Sequence, residues 1–291
     1  MERNLRVYFI GIGWFILSLI SSITNDVISK YLGVRLHSYE IVFFRFFFSS
    51  ITLVPFIIYY GKNTIKTNNM LVHFLRGILL FLGITGWTYG LTVSNVSIAT
   101  IISFMVPIFV IILGVFCLQE QIIWQRWVVT LISCLGLIIT VNPVSSDFNP
   151  EVLVLIFSAL LFAFLDIINK KFIIEEHMIG MLFYSAIITC ILSFPFAWST
   201  WIAPTMSEIL ILFILGMSAN LILFFLLKAF SIIDVTALAP YRYIELIISI
   251  TIGYIIFAEV PTQENIYGAL IIIPSVLFII LSEKNILKHN I

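Results

Sequence analysis

The chain has 291 residues, of which 61% are hydrophobic and only 10% are charged, and its formal net charge is zero. Soluble domains carry about 25% charged residues, so this composition and the mean hydropathy of +1.15 exclude a soluble globular protein. The zero net charge also removes the electrostatic basis for binding nucleic acid.

Apolar runs close to the roughly 20 residues that cross a bilayer predict ten membrane-spanning helices. In chain order they cover about residues 7–29, 39–60, 70–91, 96–118, 124–142, 150–171, 178–198, 206–229, 235–258 and 263–281. The connections between them are short and contain turn residues, which leaves no room for a soluble catalytic domain. We therefore expect an all-α membrane protein with the lipid bilayer as its surroundings.

The first two spans contain charges and polar groups that are costly in hydrocarbon and normally contact a cavity or a partner. Trp14, Asn25 and Asp26 lie in the first span, and Asp26 is expected to line a pathway. The alternative for the small polar residues is hydrogen-bonded helix packing. Arg45 lies about two turns into the second span. Its guanidinium suits a carboxylate or phosphate, and the alternative is an arginine that extends to the interface.

The third span combines aromatic residues with glycines. Gly83, Gly86 and Gly90 favour close approach of another helix, next to Trp87 and Tyr89. Either ring could stack on a flat heterocycle or contact a cation. The competing interpretation is a ring at the membrane interface.

The second half has its own set of polar residues within spans. The sixth span contains Asp166, and the eighth ends near Lys228, which is either a cavity charge or an interfacial one. The ninth contains the densest cluster, Ala239-Pro240-Tyr241-Arg242-Tyr243-Ile244-Glu245. Arg242 and Glu245 are spaced for an ion pair, and Pro240 removes a backbone donor, which can expose carbonyls to a ligand.

The two halves of the chain resemble each other. Five residues recur 140 positions later: Asp26, Lys30, His37, Phe43 and Pro55 match Asp166, Lys170, His177, Phe183 and Pro195. Further on the spacing is 139, where Asn95-Val96-Ser97 matches Asp234-Val235-Thr236 and Glu120 matches Glu259. Each half has five spans, an odd number, so we expect two inverted repeats, residues 1–142 and 143–291. Such repeats are typical of transporters that bind substrate at the interface between the repeats.

The distribution of lysine and arginine predicts the orientation. Eleven of them, Arg76 included, are assigned to the side of the N-terminus, and only Lys30 and Arg35 to the other side. Positive residues concentrate in cytoplasmic loops, so both termini are expected in the cytoplasm. The N-terminal run lacks a cleavage site and is expected to stay as a span.

Two stretches resemble the half-repeat ending of EamA-type drug/metabolite transporters. They are Val96-Ser97-Ile98-Ala99 through Pro107 to Glu120, and Val235-Thr236-Ala237 through Glu245 to Glu259, although the second has Leu246 where the first has Pro107. Rarer strings are similar to the S-adenosylmethionine uptake transporters of obligate intracellular bacteria, among them FFRFFFSS, TGWTYGLT, LDIINKKF, FFLLKAFS and APYRYIEL.

This resemblance implies a secondary transporter of the bacterial inner membrane that works by alternating access, with exchange for S-adenosylhomocysteine as one mode. The substrate is then a small zwitterion. Its adenine and sulfonium would contact Trp14, Trp87, Tyr89 or Tyr241, its cationic groups Asp26, Asp166 or Glu245, and its carboxylate Arg45, Arg242 or Lys228.

Two alternatives differ in function. An EamA-type exporter of amino acids or drugs would share the fold. An integral-membrane enzyme would need clustered nucleophile and base, whereas the histidines at 37, 73, 177 and 289 are scattered. No metal-ligand spacing and no phosphate-binding glycine motif is present in the sequence, so we expect no enzyme activity, metal or cofactor.

Overall fold

The computed structural model describes residues 2–94, 99, 102–103, 105–120, 124–141 and 152–257, with isolated positions between 263 and 278. Its α-helices are α1 (Glu2–Leu32), α2 (Ser38–Tyr60), α3 (Met70–Val93), α4 (Met105–Leu113), α5 (Trp124–Val141), α6 (Val152–Phe172), α7 (Met178–Ser199), α8 (Met206–Phe230), α9 (Val235–Leu238) and α10 (Ile244–Phe257). A π-helical turn, Gly114–Leu118, prolongs α4, and a 3-10 turn, Ala239–Tyr243, joins α9 to α10.

The expected all-α membrane protein is confirmed. Within the described residues, α1, α2, α3, α6, α7 and α8 are long and apolar enough to cross a bilayer. They match the first, second, third, sixth, seventh and eighth predicted spans. Residues 142–151, where the two repeats are expected to join, and most of the tenth predicted span lie outside the described residues.

The loops contact each other on two opposite faces. On one, the α1–α2 loop meets the α7–α8 loop, where Arg35 pairs with Glu208 and its Nη2 donates to the Ala203 carbonyl at 3.1 Å. On the other, the α2–α3 loop meets the α6–α7 loop, where Thr67 donates to Glu176 at 2.7 Å. We call these the Arg35 face and the Glu176 face. The first loop of each half thus lies on a different face, so the halves are inverted.

Helix packing repeats when the halves are exchanged. Helix α1 of the first half packs against α8 of the second, just as α6 of the second half packs against α3 of the first. In the same way, the α2–α8 contact corresponds to the α7–α3 contact. Helices α2 and α7 pack against each other and contain equivalent prolines, Pro55 and Pro195. The sequence repeat therefore describes a pseudo-twofold arrangement around the α2–α7 contact.

The repeated lysines make equivalent hydrogen bonds. Lys30 donates to the carbonyl of Ser94 just after α3, at 3.4 Å. Lys170 donates to Phe230 at the end of α8 and to Ile233, both at 2.9 Å. Lysine at a helix C-terminus satisfies carbonyls that lack a partner within the helix. Since Ser94 and Ile233 are 139 positions apart, this spacing also relates α3 to α8.

Glu120 connects the two halves at the Glu176 face. Its Oε2 accepts from the backbone N–H of Thr236 at 3.2 Å and from the Thr236 hydroxyl at 2.5 Å. A carboxylate at the first residues of a helix satisfies free N–H groups, here those of α9. The matching residue in the repeat, Glu259, and its expected partners at 95–97 lie outside the described residues.

Glycines set the distance between α-helices of the two halves. A Cβ on Gly86 would lie 2.5 Å from Ser158 Oγ of α6, as expected for close approach at this glycine. At Gly216 of α8, a Cβ would lie 2.8 Å from the carbonyl oxygen of Arg45 and 2.8 Å from the backbone nitrogen of Ser49. Backbone atoms of α2 cannot rotate away, so only glycine fits there.

We expect Gly216→Ala to lower stability by about 1–3 kcal/mol, the usual cost of overpacking. Gly13→Ala is the matched control, because nothing lies within 4 Å of its Cβ position and alanine favours helix by up to about 1 kcal/mol. Thermal unfolding in detergent measures both. A Gly216→Ala protein as stable as wild type would contradict the close α2–α8 contact.

Candidate functional site

A central cavity lies where the two halves meet. It contains roughly 1140 Å³ of space free of atoms, counting the part open to solvent. Seven of the residues selected from the sequence line it: Asn25, Asp26, Arg45, Trp87, Asp166, Arg242 and Glu245. Ligand pockets combine a mostly apolar lining with a few polar groups, and this cavity has the same combination.

The cavity wall contains equal numbers of basic and acidic side chains. They are the three arginines Arg45, Arg76 and Arg242 and the three acids Asp26, Asp166 and Glu245. All but Arg242 are buried, and the Arg242 side chain is only 16% exposed. An unpaired charge in a membrane interior is costly. The partner of each charged side chain therefore indicates whether that side chain is available to bind a ligand.

Asp26 is held by a neighbouring helix. Trp87 Nε1 of α3 donates to Asp26 Oδ1 at 3.0 Å, and the Trp87 ring lies edge-to-face against Phe162 with 5.8 Å between centroids. The adjacent Asn25 donates to Ser218 of α8. The indole N–H is therefore already used, and what Trp87 adds to the cavity is its ring surface.

Arg242 pairs with Asp166. Its Nη2 lies 3.4 Å from Asp166 Oδ2, so the sequence-based pairing of Arg242 with Glu245 is wrong, because α6 supplies another carboxylate. Glu245 instead lies 3.5 Å from the hydroxyl of Ser103. A second hydroxyl, that of Ser22, also hydrogen-bonds to the Glu245 carboxylate, and Arg242 attracts it through space without forming an ion pair.

Arg45 lacks a direct partner. It is 7% exposed, its buried Nε has no hydrogen-bond partner, and the described residues form no ion pair with it. Phe46 lies 5.5 Å below its guanidinium, and Asp26 attracts it through space. It is therefore a buried cation rather than an arginine that reaches the interface.

Three of the selected aromatic residues lie outside the cavity lining. Trp14 stacks on Phe225 with 5.6 Å between centroids, and the Tyr241 hydroxyl lies 3.2 Å from that of Tyr8. Tyr89 is half-buried on α3. Trp14 and Tyr241 are thus used in helix packing, and the geometry adds no support for a substrate role at these three positions.

Lys228 also lies outside the lining. Its Nζ is 5.9 Å from the ring centroid of Phe224, one turn earlier on α8. The helix ends two residues later, on the Glu176 face. Of the two interpretations left open by the sequence, this position favours the interfacial one.

Arg76 is a further residue of this site, although it was counted above among the loop charges. That assignment is wrong: Arg76 is 0% exposed and lines the cavity. Its Nε donates to Asn169 Oδ1 at 2.8 Å, and its Nη1 lies 3.1 Å from His73 Nδ1 and 3.3 Å from the Met181 carbonyl oxygen. The one sequence signal was the spacing of three between His73 and Arg76, which places both on one helix face.

This network continues to the Glu176 face. His73 Nε2 lies 3.5 Å from Glu176 Oε2, and Glu176 Oε1 accepts from Thr67 and, at 3.2 Å, from Asn69. Burial alone would raise the pKa of Glu176, but these hydrogen bonds and His73 together hold it below its usual value. An ionised Glu176 therefore anchors a chain of polar contacts from the loops to the cavity.

The amino-acid sequence matches the EamA-like transporter family twice, over residues 9–142 and over residues 149–281. The chain belongs to this family. The resemblance found in the half-repeat endings is thereby confirmed, with one match in each half of the pseudo-twofold structure.

Relatives within the family resemble the whole chain. It is 59% identical to the S-adenosylmethionine uptake transporter of Rickettsia bellii (strain RML369-C), covering 100% of both chains. It is also 59% identical to the protein of that name from Rickettsia conorii (strain ATCC VR-613 / Malish 7), covering 100% of this chain and 99% of the relative. A crystal structure 14% identical aligns over 98% of this chain and 99% of its own with a TM-score of 0.73, which shows a shared fold.

We expect Arg242→Gln to destabilise the protein by about 3–5 kcal/mol, because it leaves the buried Asp166 carboxylate without its cation. The double variant Arg242→Gln/Asp166→Asn removes both charges and should regain most of that loss. Thermal unfolding of the two single variants and the double variant in detergent measures the coupling. Additive losses would show that the two side chains do not pair.

Proposed function

We propose that this protein is a secondary transporter of the bacterial inner membrane that takes up S-adenosylmethionine. The proposal is carried by the charge-balanced cavity between two inverted halves, in a chain whose full-length relatives are named for uptake of this compound. Membership of a transporter family supports transport in place of catalysis. The exporter alternative rests on the shared fold, which is a weak guide to substrate.

The chemistry of the cavity suits this substrate. S-adenosylmethionine has two cationic groups, an ammonium and a sulfonium, and the carboxylates of Asp26 and Glu245 are acceptors for them. The ring surface of Trp87 offers a stacking partner for adenine. The sequence suggested three basic residues as partners of the substrate carboxylate. Arg242 is paired with Asp166 and Lys228 lies outside the cavity lining, so Arg45 is the member of this set that is still available.

The inverted halves support alternating access. The equivalent hydrogen bonds of Lys30 and Lys170 lie within their own halves and on opposite faces, so the two halves are built alike but point in opposite directions. Rocking of one half against the other would then open the cavity to each side in turn. No step of this cycle requires a cofactor.

We expect Asp26→Asn to reduce uptake of labelled S-adenosylmethionine by about tenfold or more, since hydrogen bonds to charged groups contribute about 1.5–3 kcal/mol. Glu175→Gln makes the same change in an exposed loop position and should transport like wild type. Cells or proteoliposomes with matched protein levels serve as the assay. No saturable uptake by wild type would exclude the proposed substrate, and unchanged uptake by Asp26→Asn would exclude this residue.

The same vesicles test the mode of transport. Preloading them with S-adenosylhomocysteine should accelerate uptake if the protein exchanges the two compounds. Equal rates with and without preloading would instead favour uniport or coupling to an ion gradient.

The Glu176 face is proposed to be cytoplasmic, with both termini on that side. It has the exposed Lys62, Lys66 and Lys171, and removing Arg76 from the earlier count of eleven loop charges still leaves ten against two. The positive-inside rule therefore gives the same orientation.

In a cysteine-free background, we expect Lys66→Cys to react with an impermeant maleimide only after cells are opened. Val34→Cys, on the Arg35 face and 88% exposed, should react in intact cells. The reverse labelling pattern would invert the proposed topology.

A further inference from the structure

The polar network around Arg76 occupies a position that is apolar in the other half. With the spacing of 139 that relates α3 to α8, His73 corresponds to Leu212 and Arg76 to Leu215. With the spacing of 140, Glu176 corresponds to Leu36.

These three leucines belong to one buried apolar cluster at the Arg35 face, consisting of Leu32, Leu36, Ile41, Leu212 and Leu215. Apolar packing thus fills this position of the fold in one half. A buried ionic group is often less stabilising than apolar side chains of similar size, so the arginine needs a reason beyond packing.

Arg76 and Asn169 present unused hydrogen-bond donors. Arg76 Nη2 and Asn169 Nδ2 are buried and have no partner within the described protein, and both residues line the cavity. Because Asn169 Oδ1 accepts from Arg76 Nε, and a guanidinium only donates, the free atom of the amide is its NH2 group. Two adjacent donors, one of them charged, therefore lack an acceptor.

We propose that Arg76 and Asn169 bind the carboxylate of the transported substrate. This inference rests on the proposed function and assigns one part of the substrate to one place in the cavity. A carboxylate has two acceptor oxygens and a negative charge, so it can satisfy both donors and compensate the guanidinium. A buried donor without an acceptor is costly, which favours the occupied state.

Two other arginines line the same cavity but suit this role less. Arg242 is already paired with Asp166, and Arg45 offers a single unpartnered buried donor, its Nε, whereas Arg76 and Asn169 together offer two.

The test compares substrates that differ only in the carboxylate. Unlabelled S-adenosylmethionine and its decarboxylated analogue compete for uptake of labelled S-adenosylmethionine, and the ratio of their inhibition constants is measured. Wild type should prefer the carboxylated compound by about tenfold or more. In Arg76→Gln the ratio of the two inhibition constants should fall to about one. Only the carboxylated compound loses a contact with the arginine, because the analogue has no carboxylate.

Three further variants make the test specific. Asn169→Ser introduces the residue found at the equivalent position of the first half, Ser29, and should lower the preference for the carboxylated compound in part. If Arg76→Gln does not fold, this variant tests the inference on its own. Lys171→Gln removes an exposed cation two residues after Asn169 and should leave the preference unchanged. Arg45→Gln should weaken both compounds to a similar extent.

The outcomes separate the inference from the proposed function. If wild type takes up S-adenosylmethionine but folded Arg76→Gln or Asn169→Ser keeps the full preference, the carboxylate binds elsewhere. A preference lost in Arg45→Gln alone would assign it to Arg45 and overturn the inference. If wild type takes up no S-adenosylmethionine at all, the proposed function fails, and this assignment fails with it.

Discussion

Compensation of buried charge is the constraint on which this structure depends. Each half supplies the partner of its own aspartate: Asp26 accepts from Trp87, and Asp166 pairs with Arg242. The contacts that cross between the halves use other side chains, such as Asn25 with Ser218 and Arg35 with Glu208. The two halves can therefore shift against each other without separating either aspartate from its partner, which a moving membrane protein needs because a stranded charge in hydrocarbon is costly.

Much of the fold could be predicted because its signals are local. Hydropathy and the 140-residue repeat indicated the six long helices and the inversion. Glycine spacing indicated that another helix approaches α3 closely, and the structure shows that this helix is α6. The site was harder, because a partner from a distant helix decides what a side chain does. Arg76 looked like a loop charge until Asn169 was seen beside it, and Arg242 looked like the partner of Glu245 until α6 brought Asp166 closer. Trp14 lies on the helix face that was expected to line the cavity, but its ring is already stacked on Phe225 of α8.

Symmetry and its breaks have different roles in this chain. Repeated residues such as Lys30 and Lys170 make the same backbone contacts in each half, so they explain how the scaffold is built twice. Residues without a counterpart, such as Arg45 and Arg76, project charge into the shared cavity. A duplicated scaffold with equal halves would offer a substrate two equal orientations, whereas unequal side chains select one.

The apolar cluster at the Arg35 face and the polar network at the Glu176 face also make the two ends of the cavity unequal in free energy. Separating Leu36 from Leu212 and Leu215 would bring apolar surface into contact with water, at about 25 cal/mol per Å². Separating Glu176 from His73 would expose polar groups, which water can solvate. The empty carrier therefore has a resting side determined by its own side chains, before any gradient or substrate acts on it.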